Sequence, residues 1–142
     1  MSNLDDYDKE VEAIRAYNQP ILDAFQGWLK AAGLADRTIN NHVENIDFFT
    51  EYLTYYEPLY RLDEADAVDI MSFSLDWFPR KAMWASVGSA KSNIASFRKF
   101  FKFMGETGRL DDETVSEVLE TLKERRDDFL DAVEDDDFGD WW

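Results

Sequence analysis

The run SAKSNIASFRKFFKFM, residues 89–104, decides how this chain folds. Ala90, Ile94, Phe97, Phe101 and Met104 recur at three- and four-residue steps, which places them on one face of a helix. Lys91, Ala95, Arg98 and Lys102 recur at the same steps beside that face, so the same helix carries a basic stripe, with Lys99 just around from it. Gly105 and Gly108 close the segment.

Working outward, every neighbouring segment shows the helical period and none shows strand alternation. Asp5 to Tyr17 places Tyr7, Val11 and Ile14 on one side. Pro20 suits the first turn of a following helix, where its missing N–H needs no partner. Ile21, Leu22, Phe25, Trp28, Leu29 and Ala32 form that helix's apolar face, and Gly33 sits where a left-handed cap belongs. Asp36 then caps a second helix reaching Tyr56, with a main stripe of Ile39, Val43, Ile46, Phe49 and Leu53 and another of Phe48, Tyr52 and Tyr55. Asp63 caps a third, Glu64 to Phe78, in which Val68, Met71, Leu75 and Phe78 form one face and Ile70, Phe73 and Trp77 another; Pro79 ends it. A loop with Trp84, Ser86, Gly88 and Ser89 leads into the fourth, basic helix. A fifth begins at Asp111-Asp112-Glu113, whose acids favour a helix N-terminus, and carries Val115, Leu119, Leu122, Phe129 and Val133. The expected fold is all-α: a compact bundle of four core helices in two crossed pairs, with an N-terminal helical segment and a C-terminal acidic helix. The expected organisation is an N-terminal extension over 1–19, the core over 20–110, the acidic helix over 111–134, and a tail over 135–142 ending in Trp141 and Trp142.

At 142 residues and 16.6 kDa the chain has room for one real core, and an aromatic content of 15% excludes wholesale disorder. With no Cys and His42 alone, disulfides, thiol nucleophiles and Cys- or His-rich metal sites are excluded. His42 falls at the edge of an apolar face and reads as a structural, partly buried residue. Acidic pairs such as Glu120 and Glu124 read as exposed helix surface. No cofactor, metal or catalytic residue is expected, and the protein is not expected to be an enzyme. No apolar run approaches the ~20 residues of a membrane span, and the N-terminus lacks a signal-peptide pattern. A membrane is therefore not an expected partner, and a cytoplasmic location is the default. Nineteen Asp against twelve Glu, with only seven Lys, fits a salt-loving host or an acidic protein of ordinary surroundings.

The net charge of −16 argues against a polyanionic partner, but the charge is unevenly spread. Arg80, Lys81, Lys91, Arg98, Lys99 and Lys102 fall in a stretch, from Trp77 to Gly105, that has no Asp or Glu. The rest of the chain has nine positive and thirty-one negative residues, a net of −22. A basic line with small Ala95 at its centre, and with Ser92 and Asn93 nearby, has the chemistry for phosphate contacts and some base-edge contacts. The competing reading is a solvated face paired with the acidic fifth helix. Asp127 to Asp140 could also fold back over the stripe and compete with phosphates.

The run Phe25-x-x-Trp28-Leu29-x-x-x-Gly33-Leu34-x-x-Arg37-Thr38-Ile39, followed by Phe48-Phe49-x-x-Tyr52-Leu53, resembles the N-terminal core-binding (SAM-like) domain of tyrosine recombinases and phage integrases. The run Ser89-x-x-Ser92-x-Ile94-x-Ser96-Phe97-Arg98-x-Phe100-Phe101-x-Phe103-Met104-x-x-x-Gly108-Arg109-Leu110 is similar to that domain's last helix. The resemblance implies four helices forming half of a clamp around DNA, with a role in DNA recombination and integration. It implies DNA contacts from Arg37, Thr38, Asn41 and Asn45 on the second helix, and from Lys91, Ser92, Arg98 and Lys102 on the fourth. Arg80, Lys81 and Lys99 join this set through their charge. The chain departs from the family after Leu110, continuing into Asp111-Asp112-Glu113 instead of a linker to a catalytic domain. Glu44, Asp47 and Glu51 also lie near the would-be DNA face of the second helix. The expected function is a non-catalytic module binding duplex DNA. The alternative is an acidic helical protein-interaction domain that kept the fold without the DNA. Phe48, Tyr55 and Phe103 lie away from the main core faces. They, together with Trp141 and Trp142, would then serve a protein partner or self-association, unless neighbouring helices simply cover the three.

Overall fold

The computed structural model describes residues 3–135. Among these residues there are only helices and their connections, with no strand, as the periodicity predicts. No helix is long and apolar enough to cross a membrane. The tail after Asp135, with Trp141 and Trp142, lies outside the described residues. The chain divides into two compact units, one ending at Ala65 and the other beginning at Asp66.

The first unit is a helical hairpin, α1 (Asn3–Ala31) and α2 (Asp36–Leu53), closed by a returning segment with a 3₁₀ turn at Leu62–Glu64. The expected break at Pro20 does not occur: α1 runs straight through it. A proline inside a helix costs about 3 kcal/mol through its lost hydrogen bond and ring clash. Burial on both sides of the proline offsets that cost, because Ile14 and Asn18 before it and Ile21, Leu22, Phe25 and Leu29 after it are all buried. The returning segment also holds the helix near this point. Asn18 Oδ1 accepts the Leu62 N–H at 3.1 Å, and the Tyr17 hydroxyl donates to Asp63. The Arg61 guanidinium lies 4.4 Å from the Tyr17 ring centroid. Gly33 has φ +86°, as expected of the cap that turns the chain into α2. Ala35, not Asp36, occupies the N-cap position of α2 and makes no side-chain cap; Asp36 is the first helical residue. Ile39, His42, Ile46, Phe49 and Leu53 form the buried face of α2.

The second unit holds α3 (Ala67–Ser72), a π turn (Phe73–Trp77), α4 (Phe78–Lys81), α5 (Val87–Glu106), α6 (Asp112–Glu124) and α7 (Arg126–Asp135). Asp66, not Asp63, caps the third helix, its carboxylate accepting the N–H groups of Val68 and Asp69 at 3.0 and 3.2 Å. The π turn shifts the side-chain register. Ile70, Phe73, Ser74, Trp77, Phe78 and Pro79 are buried, whereas Val68 is 62% exposed. The face expected from Val68, Met71, Leu75 and Phe78 therefore does not exist as one stripe. The helix also passes Pro79 and ends at Lys81, because the wide turn before the proline leaves room for its ring.

Phe73 is the hub of this unit's core. It stacks on Trp77 at 5.7 Å, meets Phe78 at 5.5 Å and takes the edge of Phe97 from α5 at 5.6 Å. Gly105 lets α6 approach closely, since a Cβ there would lie 3.1 Å from Val115 Cγ2. The expected fifth helix is two helices, parted at Arg125. The break lets α6 bury Val118 and Leu122, and lets α7 bury Phe129 and Val133, against differently placed neighbours. Phe103, Phe100 and Phe101 are all fully enclosed, so Phe103 belongs to the core.

The carboxyl of Asp69 is half-buried and sits beside Asp66. Burial, with the like charge, raises it from 3.8 to about 6, against the lowering effect of the Asp66 N–H. A raised carboxyl favours the folded state while protonated and works against it once ionised. Asp69→Asn keeps an oxygen to accept the Asp66 N–H, so it should be more stable than the wild type at pH 7.5. That advantage should shrink as the pH falls from 6 through 4, as measured by urea denaturation at each pH.

Candidate nucleic-acid interface

α5 begins at a capping box: Ser86 Oγ accepts the Ser89 N–H at 3.1 Å, and Ser89 Oγ accepts the Ser86 N–H at 2.8 Å. The helix is then enclosed over about half its circumference at 100° per residue, by burial of Ala90, Asn93, Ile94, Ser96, Phe97, Phe100, Phe101, Phe103 and Met104. What remains is one outward strip. Lys91, Ser92, Arg98 and Lys102 are exposed on it, and Ala95 and Lys99 are half-exposed. The cations from Lys91 to Lys102 span about 17 Å of helix axis at 1.5 Å per residue.

None of Lys91, Arg98, Lys99 and Lys102 forms an ion pair among the described residues. The alternative in which the acidic fifth helix neutralises them is thus not realised there. The helical part of the proposed acidic cover, α7, packs on α5 through Phe129 and Val133 and does not pair with the strip; the remainder of that cover lies outside the described residues.

The other expected contacts fare differently. Asn93 is buried and lines a small void with Ser74, Phe78, Ala90, Ile94 and Phe129, so it cannot reach a base edge. Its position one residue from Ser92 turns it about 100° further toward the core. Arg80 is exposed but held by Asp76 in a two-pronged pair, Nε to Oδ1 and Nη2 to Oδ2 each at 3.0 Å, which matches its charge within the fold. Lys81 is exposed at the end of α4 and has a partner of its own. Arg37, Thr38 and Asn41 are exposed on α2, and Asn45 is half-buried and engaged. They belong to the first unit, where Glu44, Asp47 and Glu51 are exposed on the same helix. Arg37 is therefore the sole cation of α2. The cations that lie together are those of α5.

Met83 and Trp84 are missing from the expected set. They form the tip of the turn between α4 and α5, and are 99% and 57% exposed. The available signal was two large apolar residues in a loop flanked by cations on both sides.

Among the described residues no three His, Asp or Glu side chains form a group that could hold a metal ion. His42 is buried in α2, and Glu120 and Glu124 are exposed on α6. No protein-family model, curated protein or solved structure matches this chain with significance.

Because Arg98 and Lys102 are exposed and form no ion pair among the described residues, replacing each by Glu should alter folding stability by less than about 0.5 kcal/mol. Urea denaturation of R98E and K102E checks this, and it makes the two variants clean probes of binding.

Proposed function

We propose that this protein is a non-catalytic module that binds duplex DNA through α5, in the manner of the integrase core-binding domain it resembles in sequence. The observation carrying this reading is the line of four cations, Lys91, Arg98, Lys99 and Lys102, that have no acidic partner among the described residues. Four like charges along one helix face repel one another and gain little from the fold. A row of phosphates supplies the missing counter-charge, and the counterions it releases drive binding. Lysine and arginine contacts to phosphates fix position on the sugar–phosphate backbone.

A second reading, a helical protein-interaction domain, is supported by exposed aromatic residues of the first unit: Tyr55 and Tyr56, in edge contact at 4.8 Å, are both about half-exposed.

A salt titration of binding to a labelled duplex, followed by fluorescence anisotropy, separates the two. Under the DNA reading, log K falls with log salt at a slope of up to about −3.6, at about 0.9 per phosphate neutralised. R98E/K102E should abolish binding while remaining folded. A wild type that shows no salt-dependent binding at low ionic strength gives the case to the protein-interaction reading.

A further inference from the structure

α5 is buried along one side from Ala90 to Met104 and exposes its basic strip on the other. At the N-terminal end of that strip, the turn over Ala82, Met83, Trp84 and Ala85 exposes two large apolar side chains. We infer that Met83 and Trp84 act as an apolar wedge that inserts beside base pairs of the duplex held by α5. This inference rests on the DNA reading of α5.

The turn is built to present these side chains. The Ala85 N–H donates to the Ala82 carbonyl at 3.1 Å, closing the turn, and the Ala82 N–H donates to the Phe78 carbonyl at 3.0 Å, joining it to α4. Ser89 Oγ shares its one proton between the Ser86 carbonyl at 3.0 Å and the Trp84 carbonyl at 3.2 Å, bringing the turn against the first turn of α5. The Trp84 ring meets buried Phe78 edge-on at 6.4 Å, so its orientation is set by the core. Met83 has no such support and is 99% exposed. A hydrogen-bonded turn thus presents two large apolar residues to water, where small polar residues are the usual choice.

Charge identifies the occupant. From Trp77 to Gly105 there is no acid. Arg80, paired with Asp76, and Lys81 precede the turn, and Lys91, which has no ion pair among the described residues, follows four residues into α5, about 6 Å along its axis. Apolar residues at the end of a row of cations suit a partner that offers phosphates outside and flat apolar faces inside. Met is among the residues that wedge between base steps and kink a duplex, and an indole stacks on any base.

The test uses the full chain and a short duplex with a fluorophore at each end. Wild-type binding should raise energy transfer between the ends, as kinking shortens their separation. M83A/W84A should bind about tenfold more weakly, the worth of one stacking contact, with the salt slope unchanged and no rise in transfer. W84F should keep the rise. M83A alone, at a side chain with no packing to lose, should reduce it and guards against misfolding of the double variant. If the wild type binds with no rise in transfer, or M83A/W84A behaves as the wild type, the wedge is overturned while the α5 reading stands. If the wild type shows no salt-dependent binding, both are overturned. Loss of a dimer or of anionic-vesicle binding in M83A/W84A, with its DNA binding and transfer equal to the wild type's, reassigns the turn to a protein or lipid partner.

Discussion

The enclosure of α5 by its own aromatic side chains is the constraint on which the second unit depends. Phe97, Phe100, Phe101 and Phe103 point in different directions around the helix, and all four are buried. They commit the helix on a broad arc, and everything polar must use what is left. The basic residues are therefore not scattered but confined to one strip by the packing of their neighbours. The same phenylalanines dictate the form of the surrounding elements. Phe73 must meet Phe97 edge-on, and Phe129 and Val133 must reach α5 from a direction that α6 does not share.

Two local irregularities serve that demand. The π turn from Phe73 to Trp77 admits an extra residue per turn, so Phe73, Trp77 and Phe78 all face inward where a regular α-helix would spread them. The break at Arg125 redirects the chain between α6 and α7. Arg125 holds the corner by pairing with Asp128 at 2.6 Å, while its own N–H still bonds the Thr121 carbonyl at 2.9 Å. Both features are stabilised by burial on either side, not by the propensity of the residues that form them.

What the sequence made legible follows from what periodicity can report. Apolar residues at three- and four-residue steps identify an all-helical chain, the core face of α5 and the strip beside it, because both are set by the same 3.6-residue repeat. Periodicity has no access to local exceptions. Pro20 reads as a helix start, since a proline's intrinsic cost is visible in sequence and the burial of Ile14, Asn18 and Ile21 that offsets it is not. Val68 reads as core because the π turn that takes its stripe out of register has no compositional mark. Asn93 reads as a surface residue because polarity is a weak guide to position on a helix whose buried arc reaches Ser96. Arg80 reads as available because an Asp four residues away can form a pair without being bound to do so. Met83 and Trp84 sit in a loop, where helical spacing says nothing about which side chains are covered.

The uneven charge gives the strip its physical setting. Thirty-one acids against nine bases outside the Trp77–Gly105 stretch create a diffuse repulsion toward any polyanion, while attraction comes only from a line of cations in contact range. The two have different reach. At an ionic strength near 0.15 M, fields are screened within about 8 Å, so a phosphate in contact with a cation feels acids beyond that reach weakly; at 0.01 M the reach grows to about 30 Å. Added salt therefore removes repulsion as well as attraction. On the proposed DNA reading, such a protein docks where its basic face comes into close register with phosphates, and it gains little from loose electrostatic association elsewhere. Such a balance penalises non-specific contact with DNA more than it penalises a fitted one.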